Sequence, residues 1–140
     1  ALEAASGDEI PVALMEKQRS GGVVSGETLV GPVADRTAIV IDDLISTGET
    51  MMRTARACRD KGADRVYAAA THGLFIGGAT ELFREAPIEE IVVADTLPPF
   101  RVAEEDARAR LRQVEASRLV GKAIRRLHDD GSLVELLETD

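Results

Sequence analysis

Aromatic side chains are nearly missing from this chain. Tryptophan is absent, and all aromatics together make up 3% of 140 residues. Any core must therefore be aliphatic, built from Val, Ile, Leu and Ala. Cysteine is limited to Cys58, so no internal disulfide can form, which suits a reducing cytoplasm. No apolar run approaches the roughly 18 residues that would span a bilayer. No N-terminal stretch pairs basic residues with an apolar segment in the manner of a secretory signal. Positive charge is in deficit as well. Lys and Arg number 17 against 25 acidic residues, for a formal net charge of -8. Such a surface opposes a phosphate backbone, so nucleic acid is a poor partner, and nothing favours a membrane.

Hydrophobic residues, at 44%, suffice for the core of one domain of ordinary size. The chain opens on alanine. Either a processed or truncated piece or simple loss of an initiator methionine accounts for that.

Short apolar runs alternate with helix-period runs. Ile10 to Met15 reads as a buried strand, and Gly7 and Asp8 punctuate the end of a preceding helix. Residues 20–31 carry four glycines and read as a mobile flap, or a hairpin, between two strands. Thr37 to Ile41 is a near-continuous apolar strand of the kind found in parallel sheets covered on both faces. A helix is predicted from Glu49 to Lys61, with Met51, Ala55 and Cys58 on one face and Gly62 as its stop. Strands at Val66 to Ala70 and Ile88 to Val93 flank a helix from Ala79 to Arg84. Pro98 and Pro99 end this regime. A charge-dense stretch from Arg101 to Arg112 follows, then an amphipathic helix carrying Ala116, Val120, Ala123, Ile124 and Leu127. A short tail, Leu133 to Leu137, packs back. The pattern is an α/β fold, a mostly parallel sheet flanked by helices, with a flexible flap after the first strand.

The chemistry concentrates after the strand ending at Ile41. Asp42 and Asp43 come first, then Ser46, Thr47, Gly48, Glu49 and Thr50, entering a helix. Strand carboxyl ends face the crevice where open α/β sheets bind ligands. Free N–H groups at the helix start attract an anion. Ser46, Thr47 and Thr50 add hydroxyl donors, and Gly48 permits close approach. The two carboxylates would repel a phosphate set on them, but they suit a vicinal diol or a bound Mg²⁺. A ligand with phosphate at one end and a diol at the other is a ribose phosphate. The plain structural reading, a capped helix after a polar turn, explains one hydroxyl and leaves the rest.

The stretch from Ile39 to Thr50 resembles the phosphoribosyl-binding loop of type I phosphoribosyltransferase folds. Val66 to Phe75, with its Thr71-His72-Gly73, resembles ribose-phosphate pyrophosphokinase, and so does Pro87 to Val93 with Asp95-Thr96. Ala123 to His128 is similar to that family's last helix. The resemblance covers almost the whole chain. It implies that residues 1–140 form one phosphoribosyltransferase-like domain, the second of the family's two, without its opening. It implies transfer of pyrophosphate from ATP, taken with Mg²⁺, to ribose 5-phosphate, giving phosphoribosyl pyrophosphate and AMP. Asp42 and Asp43 would hold the ribose hydroxyls, and Ser46, Thr47, Gly48, Glu49 and Thr50 the 5-phosphate. Lys17 and Arg19 match the basic pair that opens the family's catalytic flexible loop. Read without the resemblance, they form a solvated basic turn.

His72 ends a strand at the same sheet edge, where it can line the site or bond the backbone. No metal site is assigned to this chain, since most ATP and metal ligands would lie outside it. Independent turnover is therefore not expected. The family's dimers and hexamers imply a homo-oligomer. Ser46 replaces an aspartate common in the family, and Glu49 a small residue, an acid that would weaken phosphate binding unless it points outward. Arg108, Arg110, Arg112, Arg118 and Lys122, interleaved with acids, read as a solvated or subunit-facing surface. Cys58 reads as core packing. Two other functions share the fold: a nucleobase phosphoribosyltransferase, and a non-catalytic relative acting as a regulatory subunit or an RNA-binding attenuator. The charge of -8 speaks against RNA, and the acidic and basic pairs speak against an inactive subunit.

Overall fold

A computed structural model describes residues 10–20, 23–102 and 104–138. Two sheets are present among them. β1 (Leu14–Ser20) and β2 (Val23–Val30) form an antiparallel pair, with a register shift between Gln18 and Arg19. β3 (Thr37–Ile45), β4 (Arg65–Gly73), β5 (Ile91–Ala94) and β6 (Leu111–Val114) form a parallel sheet in that order. The helices are α1 (Glu49–Asp60), α2 (Ala79–Glu85), α3 (Glu105–Ala109), α4 (Ser117–His128) and α5 (Leu133–Glu138).

The predicted α/β alternation is thus present. α1 forms where Met51, Ala55 and Cys58 fall on one face, and all three are buried. Gly62, at φ 87°, ends it in the left-handed region. The core is aliphatic as composition requires, centred on Ile45, Met51, Val66, Leu82, Ile88, Ile91 and Val93. Phe75 and Phe83 add a tilted ring pair with centroids 5.4 Å apart. Cys58 belongs to this core, and burial pushes its thiol pKa up, away from thiolate reactivity.

Three expectations need correction. Ile10 to Met15 is not a buried strand. Residues 10–13 join no ladder, Val12 is 73% exposed, and only Ala13 and Met15 touch the core. Of the two readings of residues 20–31, the hairpin is the one present: β2 runs from Val23 to Val30 and pairs with β1. The apolar run of β3 is not covered on both faces. Ile39 and Ile41 are 53% and 62% exposed, since α1 packs on the other face and no described element lies over theirs. Arg110 is not a solvated surface charge but half-buried, whereas Arg108 is exposed as expected. Arg108 Nε donates to the Val102 carbonyl at 2.7 Å. Arg110 donates to the carbonyls of Phe83 and Ala86, closing the carboxyl end of α2. The charge-dense stretch also hides two elements, α3 and β6, whose four or five residues are too short to show a period.

Candidate functional site

β3 and β4 both change phase near their carboxyl ends. Burial alternates along β3 through Asp42; then Asp43 and Leu44 are both exposed and Ile45 is buried. β4 does the same, with Thr71 and His72 exposed and Gly73 buried. Leu44 stands opposite His72 and Ile45 opposite Gly73, so the slip occurs in register on both strands. Its effect is to expose two consecutive residues on each strand at the edge where parallel sheets bind ligands.

Beyond the slip, the loop is fastened from behind. Leu74 and Phe75 donate backbone N–H bonds to the Ile45 carbonyl, and Ile76 donates to that of Ser46 at 3.1 Å. The turn after β4 therefore backs the turn after β3. Within the turn after β3, Gly48 is closely packed. Its φ is 85°, and a Cβ built there would lie 2.7 Å from a Leu82 methyl. The glycine is required by α2 packing against the loop, which the sequence reading had assigned to the approach of a ligand.

Gly48 is the N-cap of α1, and no side-chain cap bond is made there among the described residues. The plain capping reading for Ser46 or Thr47 therefore fails. Their hydroxyls and that of Thr50 make no hydrogen bond among the described residues. Ser46 and Thr47 are half-buried, and Thr50 is exposed. Free amides, the positive end of the helix dipole and free hydroxyls thus share one turn. Glu49 points away. It is 75% exposed and lies 3.8 Å from Arg53, one helical turn on.

Asp42 and Asp43 sit at the slip itself. Asp42 is half-buried, and its carboxylate accepts the Asp43 N–H at 2.9 Å. Asp43 is exposed. No group of three metal-ligating side chains is found among the described residues. Two adjacent carboxylates without a third ligand fit a diol, or a cation brought in with another ligand, better than a self-standing metal site.

His72 lies at the same edge, with its Nδ1 2.8 Å from the Thr96 hydroxyl. Asp95, beside it, serves α4. Its carboxylate accepts the N–H groups of Ala116 at 2.7 Å and Ser117 at 3.0 Å. The Ala116 bond first, and the Ser117 bonds next, hold the carboxyl below its ordinary range. Sequence reasoning missed this cap because the partners are 21 and 22 residues apart. Lys17 and Arg19 lie on β1, but their side chains are outside the described residues.

A strand tip running into an uncapped helix start, on the carboxyl edge of a parallel sheet, is an arrangement suited to an anion in α/β domains. Comparison narrows the class. The model of the phosphoribosyl synthetase-associated domain matches residues 8–138, and the chain belongs to that family. It is 36% identical over 127 residues to a ribose-phosphate pyrophosphokinase of Caldanaerobacter subterraneus subsp. tengcongensis, covering 90% of this chain and 39% of the relative. A ribose-phosphate pyrophosphokinase of Rhodopirellula baltica is 38% identical over 127 residues, covering 89% and 39%. The crystal structure of phosphoribosylpyrophosphate synthetase from Mycobacterium smegmatis superposes with a TM-score of 0.75 at 32% identity. That match covers 91% of this chain and 40% of the other. The chain thus spans about two-fifths of the length of these relatives.

Proposed function

We propose that this chain is the ribose 5-phosphate-holding domain of a ribose-phosphate pyrophosphokinase. The observation that carries the reading is the uncapped α1 start, whose free amides and hydroxyls lie a few residues beyond two carboxylates. The 5-phosphate sits on the amides of the first turn and the hydroxyls of Ser46, Thr47 and Thr50. Asp42 and Asp43 accept hydrogen bonds from the vicinal hydroxyls of the ribose. The sugar is thereby fixed with its anomeric hydroxyl free to attack the β-phosphorus of ATP. The pyrophosphoryl group moves to that oxygen, and AMP leaves.

Lys17 and Arg19 serve this step from the β1–β2 hairpin. A migrating phosphoryl group needs cations over it, and a hairpin joined to the domain at its base can bring them. Mg²⁺ arrives with ATP and neutralises phosphate charge. The acid pair of this chain fits a shared ligand role and not a complete coordination sphere. ATP and the remaining metal contacts belong to other parts of a two-domain protein, so this chain alone is not expected to turn over. The uncovered faces of β3 and α4 fit a place within such a protein and its homo-oligomer, in a reducing cytoplasm where Cys58 needs no partner.

The test is a titration of the isotopically labelled chain. Ribose 5-phosphate should shift the amides of residues 46–51 and the side chains of Asp42 and Asp43. Inorganic phosphate should shift the amides alone, and ribose alone should bind weakly. No shift at residues 46–51 with either phosphate would sink the reading. In the complete protein, Lys17→Ala should lower AMP release strongly while ribose 5-phosphate still binds. Unchanged turnover would remove Lys17 from the mechanism.

A further inference from the structure

The carboxyl edge of the sheet holds a side-chain relay that the loop reading does not use. His72 Nδ1 lies 2.8 Å from Thr96 Oγ1, and Thr96 Oγ1 lies 3.2 Å from the carbonyl oxygen of Thr71. Hydrogen placement follows from this network. A carbonyl oxygen cannot donate, and a hydroxyl has one proton. If Thr96 gave its proton to His72, its oxygen would face the Thr71 carbonyl lone pair to lone pair. If Thr96 donates to Thr71 instead, both contacts are satisfied, with His72 Nδ1–H donating to Thr96. In the neutral ring Nε2 then carries the lone pair.

That nitrogen is placed for use. His72 is exposed and stands directly opposite Leu44, the residue after Asp43. Adjacent strands lie about 4.8 Å apart, so the backbone of His72 borders the turn that carries the acid pair and leads into α1. A histidine held only for structure would use both nitrogens or be buried. Here Nε2 has no partner among the described residues, and the ring belongs to no metal-ligating cluster among them. An unprotonated nitrogen repels phosphate oxygens and accepts from a hydroxyl.

We propose that His72 Nε2 accepts a hydrogen bond from a hydroxyl of the bound sugar, and that Thr96 is the positioning residue that fixes its tautomer. The inference rests on the sugar-phosphate reading and adds a third group to the two carboxylates. It makes this edge selective for a polyol phosphate over phosphate alone.

Long-range proton–nitrogen NMR of the labelled chain, with the ring neutral, reads the tautomer directly. His72 should carry its proton on Nδ1. Thr96→Val should move the proton toward Nε2, and Thr96→Ser should restore the original state. Ribose 5-phosphate should shift Nε2 and bind about 3–10-fold more weakly to Thr96→Val, the loss of one hydrogen bond. Inorganic phosphate should leave Nε2 and its own affinity unchanged by that substitution. A proton on Nε2 in the unaltered chain overturns the proposal. So does a ligand that shifts residues 46–51 while His72 stays still, an outcome that leaves the sugar-phosphate reading standing. If ribose 5-phosphate shifts neither, both fall together.

Discussion

The loop after β3 and the hairpin β1–β2 are attached to the domain in opposite ways. The loop is fixed along its length. The turn after β4 bonds its carbonyls, and Leu82 fills the space beside Gly48. The hairpin is fixed at its base. Leu29 enters the core, Lys61 at the end of α1 donates to the Leu29 carbonyl, and Gly31 passes against Ala13. One helix thus holds both, the loop at its start and the hairpin at its end. In the proposed reaction that division is functional. A phosphate cradle works when its amides are already aimed, whereas cations over a migrating group must let ligands in first.

The largest way to break the comparison is Gly48→Ala. The left-handed φ costs about 1–2 kcal/mol for a residue with Cβ, and the overlap with Leu82 adds about 1–3 kcal/mol. Against a typical domain stability of about 5–15 kcal/mol, Tm should fall by several degrees or the chain should fail to fold. A variant as stable as the parent, seen by thermal unfolding, would show that the loop is not clamped from behind. Lys61→Met should act at the other end with less force. Loss of one hydrogen bond is worth about 1 kcal/mol. Amide exchange should rise in β1 and β2 and stay unchanged in α1 and β4, with Lys61→Arg restoring protection. Equal changes throughout would mean that the hairpin has no separate anchorage.

The contrast between the two regions also marks what could be read in the sequence. The loop was legible because its signals are local. Strand, acids, hydroxyls, glycine and helix follow one another from Thr37 to Asp60, and the structure keeps them contiguous. What held the loop was not legible. Leu82 and Leu74 to Ile76 lie 29 or more residues downstream of the residues they contact, and nothing in their types announces the contact. Asp95 was hidden for the same reason, its partners lying beyond β6. The hairpin was half legible. Glycines and serines fit a flap or a hairpin alike, and pairing of Met15 with Leu29 and of Lys17 with Glu27 makes it a hairpin. α4 shows the converse limit. Its periodicity gave the helix correctly, yet Val120, Ile124 and Leu127 remain exposed, because periodicity names the apolar stripe and not what covers it.

Acid sharpens the distinction between the loop and the far edge of the sheet. Asp95 has a depressed folded-state pKa, so its contribution to stability is present above the unfolded value and is lost as pH falls through the folded one. The first turn of α4 should loosen as pH drops through and below the ordinary carboxylate range. The amides of Ala116 and Ser117 should report it first in NMR. Asp95→Asn should remove most of that pH dependence. If those amides titrate alike in both proteins, the cap does not control α4.

The smallest effect concerns Glu49, and it tests how open the cradle is. An acid in the first turn competes with a bound anion if it leans inward, and it favours the helix dipole wherever it stands. Here it leans toward Arg53 at 3.8 Å and is 75% exposed, where an ion pair is worth under about 1 kcal/mol. Glu49→Gln should therefore change ribose 5-phosphate affinity by less than about 3-fold at moderate salt. Two small terms oppose each other in that number. Removing the charge relieves a screened repulsion and also weakens the helix start that holds the phosphate in the proposed function. A tightening of tenfold or more would mean that the carboxylate occupies the cradle when no ligand is bound. The loop would then resemble the hairpin as the proposed reaction uses it, an element that has to move first.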